Sequence, residues 1–144
     1  MDVSELRKRI LRAIEDAKTD LSERRTVLDT AGKAYEGFLD ATAVPLLRQA
    51  ANVLKASGHL FDVHTPAGSV RLVAERSPHT FLEIDLDVSG SEPEVIGRIS
   101  LTRGRQGLVV EERPIVPGRA VAKLTEEDLT AFLVSEIPKL VVKS

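Results

Sequence analysis

Ser69-Val70-Arg71-Leu72-Val73-Ala74-Glu75-Arg76 and, after Ser77-Pro78-His79, Thr80-Phe81-Leu82-Glu83-Ile84-Asp85-Leu86-Asp87-Val88 read as two strands joined by a short loop. Val70 and Leu72 alternate with Arg71, and Leu82, Ile84 and Leu86 alternate with Glu83, Asp85 and Asp87. A period of two with apolar residues in one set is the mark of a strand with one face buried and one face wet.

The same period extends to both sides. His59–His64 precedes this pair, and Val95–Arg103 and Gln106–Arg113 follow it. Short loops between five such runs imply an antiparallel meander. Loop lengths then set a register. Thr65-Pro66-Ala67-Gly68 places Asp62 opposite Arg71, and Ser77-Pro78-His79 places Arg71 opposite Asp85. Ser89–Glu94 sets Asp85 opposite Arg98, and Gly104-Arg105, read as a two-residue hairpin, sets Arg98 opposite Glu111. The predicted outer face is thus a row of alternating charge. The predicted inner face collects Phe61, Val63, Val70, Leu72, Leu82, Ile84, Leu86, Ile99, Leu101, Leu108 and Val110. Such a face needs a cover, and the flanking helical segments are the available one.

Ahead of the sheet the period changes. Ile10, Ile14, Ala17, Leu21, Leu28, Ala31, Tyr35 and Phe38 recur in steps of four and three, with Arg24 in one seam position. This is a heptad stripe on a helix from Val3 to about Asp40. Unbroken, such a helix is roughly 57 Å long, whereas a compact chain of this size has a diameter near ~37 Å. Either the helix breaks, near Asp20 or Gly32, or a partner covers the overhang. A long helix whose overhang pairs with a second copy is the favoured expectation, with Ile10, Ile14, Ala17, Leu21 and Leu28 as the dimer interface. A second helix is expected from about Ala43 to Ser57, capped by Asp40 or Thr42, with Pro45 in its first turn and Gly58 after its end. The last helix is expected to start at Thr125, with Glu126, Glu127 and Asp128 in its first turn, and to end or bend at Pro138. The predicted fold is therefore α+β in one domain over 1–144: a helical part (1–58), a five-stranded antiparallel β-meander with one face covered by helices (59–123), and a C-terminal helix (124–138).

Composition narrows the function classes. With 42% hydrophobic and 29% charged residues, the chain can bury a core and stay in solution. Aromatics make up only 3%, which disfavours stacking sites for bases or sugars. The net charge is −2, and neither half carries a strong excess of one sign, so nucleic acid is an unlikely partner. The absence of cysteine removes disulfides and thiolate chemistry, and three histidines alone give no structural zinc site, so no metal and no cofactor is expected. Met1–Glu5 lacks an apolar signal core and no apolar run is long enough to span a bilayer, so the expected location is cytoplasmic, with no membrane partner.

Weak catalytic candidates are Glu112 and His59. In the predicted register Glu112 faces the apolar side opposite Gly97, where burial would raise its pKa. His59 would be its natural helper, although strands one and five of an open sheet lie ~19 Å apart. Thr102-Arg103-Gly104-Arg105-Gln106-Gly107 lacks the Gly-Lys-Ser/Thr ending of a phosphate loop and reads as a turn. Arg103, Arg105, Arg113 and Arg119 form an expected basic cluster at one sheet end, a minor candidate for nucleic acid. The leading expectation is a non-enzymatic interaction module that self-associates as a homodimer through the long helix, with room for an unidentified protein partner. The alternative is a ligand-binding or enzymatic domain with a pocket between sheet and helices.

Overall fold

The computed structural model describes residues 2–142. The element order is α1 (Val3–Phe38), a π-helical segment (Leu39–Ala43), α2 (Val44–Ala56), strands β1 (Phe61–His64), β2 (Val70–Ala74), β3 (Ser77–Asp87), β4 (Glu94–Arg103) and β5 (Gly107–Pro114), and α3 (Glu126–Val141). The strands form one antiparallel sheet in the order β1-β2-β3-β4-β5. The α+β class and the five-stranded meander are as the periodicity implied.

Helix α1 runs without interruption through Asp20 and Gly32. Asp2 caps it by accepting from the Ser4 N–H at 2.9 Å. The expected cap at Asp40 or Thr42 is replaced by continued helical backbone. Residues Leu39–Ala43 widen to a π turn, in which the Val44 N–H donates to the Leu39 carbonyl. The reason sits at Pro45, which has no N–H to donate and whose ring crowds the carbonyl four residues back. A π turn absorbs both defects without ending the helix. Pro138 likewise lies inside α3, which continues to Val141 rather than stopping there. The start of α3 is as expected. Thr125 accepts from the Asp128 N–H, and the Asp128 carboxylate accepts from the Thr125 N–H, closing a capping box.

The core lies between the sheet and the helices. Leu72, Leu82, Ile84 and Ile99 from the sheet meet Leu47 and Leu54 of α2, Leu129, Phe132 and Leu133 of α3, and Tyr35 and Phe38 from the end of α1. The Tyr35 hydroxyl donates to the Gly68 carbonyl at 2.6 Å. Burial pushes its pKa up, and the nearby Asp85 and Glu83 carboxylates push it further the same way, so it stays a neutral donor.

The register differs from the predicted one at every strand pair. His64 rather than Asp62 stands opposite Arg71, Arg71 stands opposite Glu83, and Glu83 opposite Arg98. These shifts are of two residues, so each side chain keeps its predicted face. The β2–β3 shift arises because β3 already begins at Ser77, with an irregularity between Val73 and Ala74. Strand β5 departs further. The turn before it is three residues, Gly104–Gln106, with Arg103 opposite Gly107, and Gly107 adopts φ +71°. A loop longer by one residue slips β5 by one position and reverses its faces. Leu108 and Val110 therefore point outward, 55% and 51% exposed, and Arg113, not Glu112, sits opposite Gly97.

Candidate interaction surface

The outer sheet face carries an ion ladder. Glu83 lies at its centre, only 4% exposed. Its carboxylate accepts from the Arg71 Nε at 2.9 Å and from Arg98, and Ser69 Oγ is 3.3 Å away. Arg98 continues the chain to Glu112 at 2.6 Å, and the Arg71 guanidinium lies 4.2 Å from the Phe81 ring centroid. The hydrogen bond to Glu112 raises the Arg98 pKa, which burial alone would lower. Arg71 and Arg98 thus hold three carboxylates, Glu83, Glu112 and, at 3.8 Å from Arg98, Asp85, so the ladder keeps a small negative excess.

A second ion cluster joins β5 to α3. Glu136 is 3% exposed and takes a 2.6 Å hydrogen bond from the Arg113 Nε, with Lys139 Nζ at 2.8 Å. Burial raises the carboxyl pKa, but hydrogen bonds from Lys139 and Arg113 outweigh it and leave a net depression. Lys139 also lies 3.6 Å from Glu111. The Arg113 guanidinium rests 4.4 Å from the Phe132 ring centroid. Inward-facing Glu111 and Arg113 thus find partners on α3, in the places where the predicted register had set Val110 and Glu112.

The sequence-derived catalytic candidates are not brought together. Glu112 lies on the outer face, paired with Arg98, and the space beside Gly97 is filled by Phe132: an added Cβ would stand 2.0 Å from the ring. His59 is exposed in the connection between α2 and β1. The basic cluster also disperses, because Arg113 serves Glu136, Arg119 pairs with Asp128 at 2.7 Å, and Arg103 lies 3.8 Å from Glu111. Arg105 is exposed in the turn. An apolar groove of about 380 Å³ runs between α2 and α3, along Leu46, Ala50, Val53, Leu133, Val134 and Ile137, and a larger open cleft of about 830 Å³ lies where Thr80 and residues 101–104 at the sheet end face residues 138–142. Among the described residues no three acidic, histidine or cysteine side chains converge as a metal site requires, and no helix is long and apolar enough to cross a membrane.

The remaining feature is α1 itself. Its 36 residues span about 54 Å. Towards its C-terminal end the stripe enters the domain: Leu28 and Ala31 are half-buried, and Tyr35 and Phe38 are buried. The changeover is at Arg24. Its guanidinium donates to the Ser91, Gly90 and Val88 carbonyls at 2.6, 2.8 and 2.9 Å, fastening the β3–β4 loop onto the helix. Ahead of that clamp every residue from Asp2 to Glu23 is exposed. Val3 and Leu21 are 81% and 62% exposed, and Leu6, Ile10, Leu11 and Ile14 about half. Ile10, Ile14, Ala17 and Leu21 therefore lie on one open stripe, while Leu28 belongs partly to the domain. Arg24 was legible only as a break in the stripe; its role as a clamp depends on a loop 64 or more residues away.

No protein-family model matches the chain, and neither does any curated protein or solved structure.

Proposed function

We propose that this protein is a non-enzymatic interaction module that self-associates through the free N-terminal part of α1. The observation that carries this reading is continuity. One heptad stripe runs the length of the helix, is covered by the chain's own core beyond Arg24, and is uncovered before it. Among the described residues nothing of the chain's own packs on the segment before Arg24, and packing of an apolar face is what supplies most helical stability in proteins.

The magnitudes favour a dimer. Six large apolar side chains on the free segment, Val3, Leu6, Ile10, Leu11, Ile14 and Leu21, are about half or more exposed. Burying the second half of each contributes roughly 0.8–1.5 kcal/mol. Twelve of them in a pair give about 10–18 kcal/mol gross, against an association cost of about 4–15 kcal/mol. At roughly 100 Å² apiece they cover about 1,200 Å² in total, the lower edge of stable interfaces.

Light scattering across micromolar concentrations tests the proposal. A dimer is expected for the native chain, and for Ile14→Glu/Leu21→Glu a monomer that keeps the domain's thermal unfolding transition and loses helical circular-dichroism signal from the free segment alone. Both residues lie outside the domain core, so its folding is not at stake in the variant. A native chain that stays monomeric at high micromolar concentration would remove the reading.

A further inference from the structure

Resting on that reading, we propose that the second copy lies antiparallel along α1, with Ile10 of each chain against Ile14 of its twin and the two domains at opposite ends.

A closed pair has two-fold symmetry, which leaves two arrangements of the helices: parallel in register, or antiparallel. A staggered parallel pair uses different surfaces on each copy and does not close. The clamp decides between the two. From Arg24 onward the seam side of α1 is occupied by the chain's own Val88–Ser91 loop and core. A parallel twin would have to lay its own residues 24–38, with its own domain attached, on that same ground. An antiparallel twin overlaps only the free segment.

The register follows from the seam residues. In heptad terms Arg7, Ile14 and Leu21 form one set and Val3, Ile10 and Ala17 the other. Antiparallel helices bring one set against the other. Centred on residue 12, every layer is filled: Val3 on Leu21, Arg7 on Ala17, Ile10 on Ile14, and the same again by symmetry. Leu11 then meets Leu11 and Ala13 meets Ala13 about the axis. Arg7, the one charge in the free seam, faces its smallest residue, with Asp16 and Asp20 of the twin within one turn. The overlap also ends where it must. The twin's helix begins at Val3, after its Asp2 cap, opposite Leu21 and one layer short of the Arg24 clamp. The paired length is about 28 Å.

The chain contains no cysteine, so introduced thiols are the only ones present. Leu21→Cys, Val3→Cys and an equimolar mixture of the two are oxidised and run on non-reducing gels, alongside light scattering of the reduced proteins. The expected result is a disulfide-linked species in the mixture and its complete loss in either variant alone, because Leu21 of the two chains would be about 27 Å apart, beyond the ~7 Å limit for bridged Cα atoms. Self-linked Leu21→Cys means parallel helices and overturns the orientation while leaving the dimer standing. A dimer in which neither variant nor the mixture links means that α1 docks elsewhere, for instance in the α2–α3 groove, and also overturns it. A monomer by light scattering overturns the self-association reading itself.

Discussion

Gly97→Ala should destabilise this protein, although alanine in place of a strand glycine ordinarily helps. Removing the backbone freedom of glycine from a strand interior is worth about 0.5–1 kcal/mol in favour of alanine. At Gly97 the new Cβ would stand 2.0 Å from Phe132 Cζ and 2.5 Å from Cε1. No real side chain tolerates that, and Phe132 is 2% exposed and enclosed by the core. Forcing a methyl into a filled core costs about 1–3 kcal/mol. The displaced ring also loses its place under Arg113, worth about 0.5–1 kcal/mol. The sum, less the glycine gain, is a net loss of about 1–3 kcal/mol, or a melting temperature lower by roughly 3–10 °C. Urea unfolding followed by circular dichroism, at one fixed protein concentration, measures it. The cost should shrink by about 1 kcal/mol or more in a Phe132→Leu background, where the shorter side chain vacates the space. A Gly97→Ala protein as stable as the native one, or a cost unchanged by Phe132→Leu, would refute the placement of Phe132 against Gly97.

Glu83→Gln should cost about 2–4 kcal/mol, since it leaves Arg71 and Arg98 without their central partner, whereas Glu112→Gln, at the solvated end of the ladder, should cost under about 1 kcal/mol; urea midpoints compare the two. Arg24→Ala removes three donors to loop carbonyls and should cost about 1–3 kcal/mol, with faster amide hydrogen exchange confined to residues 88–91. Acid should weaken the fold through Glu136 and Asp128. The folded-state pKa of Glu136 lies below the ordinary 4.5, burial being outweighed by Lys139 and Arg113, and that of Asp128 lies below 3.8, held down first by the Arg119 hydrogen bond. Below those ordinary values the unfolded chain binds more protons than the folded one, so both contributions are complete above pH 4.5 and fade as pH falls through the depressed values. Thermal midpoints should therefore drop below pH 4.5, and the slope should flatten in Glu136→Gln; an unchanged slope would remove Glu136 from the account.

The faces of β1 to β4 were legible in the sequence because alternation is insensitive to register errors of two. The partners within a face were not, because loop residues join strands: Ser77 and Pro78 look like a turn and are strand. Strand β5 was misread for a different reason. Leu108-Val109-Val110 is apolar in both parities, so alternation gives no vote, and the outcome rests on whether the turn holds two residues or three. Gly107 held the clue, since a second glycine after Gly104 supplies the positive φ that a three-residue loop needs at its end. That single residue moved Glu112 from a supposed apolar pocket into the ion ladder, and with it went the case for an acid–base site. The alternating-charge row on the outer face was legible, but its partners Glu83 and Glu112 were not, and the Glu136 cluster was not legible at all, because both depend on the register itself.

Arg24 marks where one repeating pattern divides between the domain's own core and a stripe left open. A guanidinium in an apolar seam costs desolvation unless acids answer it, as Asp16 and Asp20 of the twin would answer Arg7. Placed against three backbone carbonyls of a loop that would otherwise be left to solvent, the same group is satisfied. The charge therefore fixes where the helix stops belonging to its own domain. On one side of it the stripe grades into the half-buried Leu28 and Ala31 and then the buried Tyr35 and Phe38; on the other, Leu21, Ile14 and Ile10 stay open at the same spacing. A helix that only needed to finish its own core would have had no use for apolar residues beyond the clamp, since the roughly six turns ahead of it would serve solubility better if charged throughout. The persistence of the heptad past Arg24, rather than the length of the helix, is what argues for a second copy.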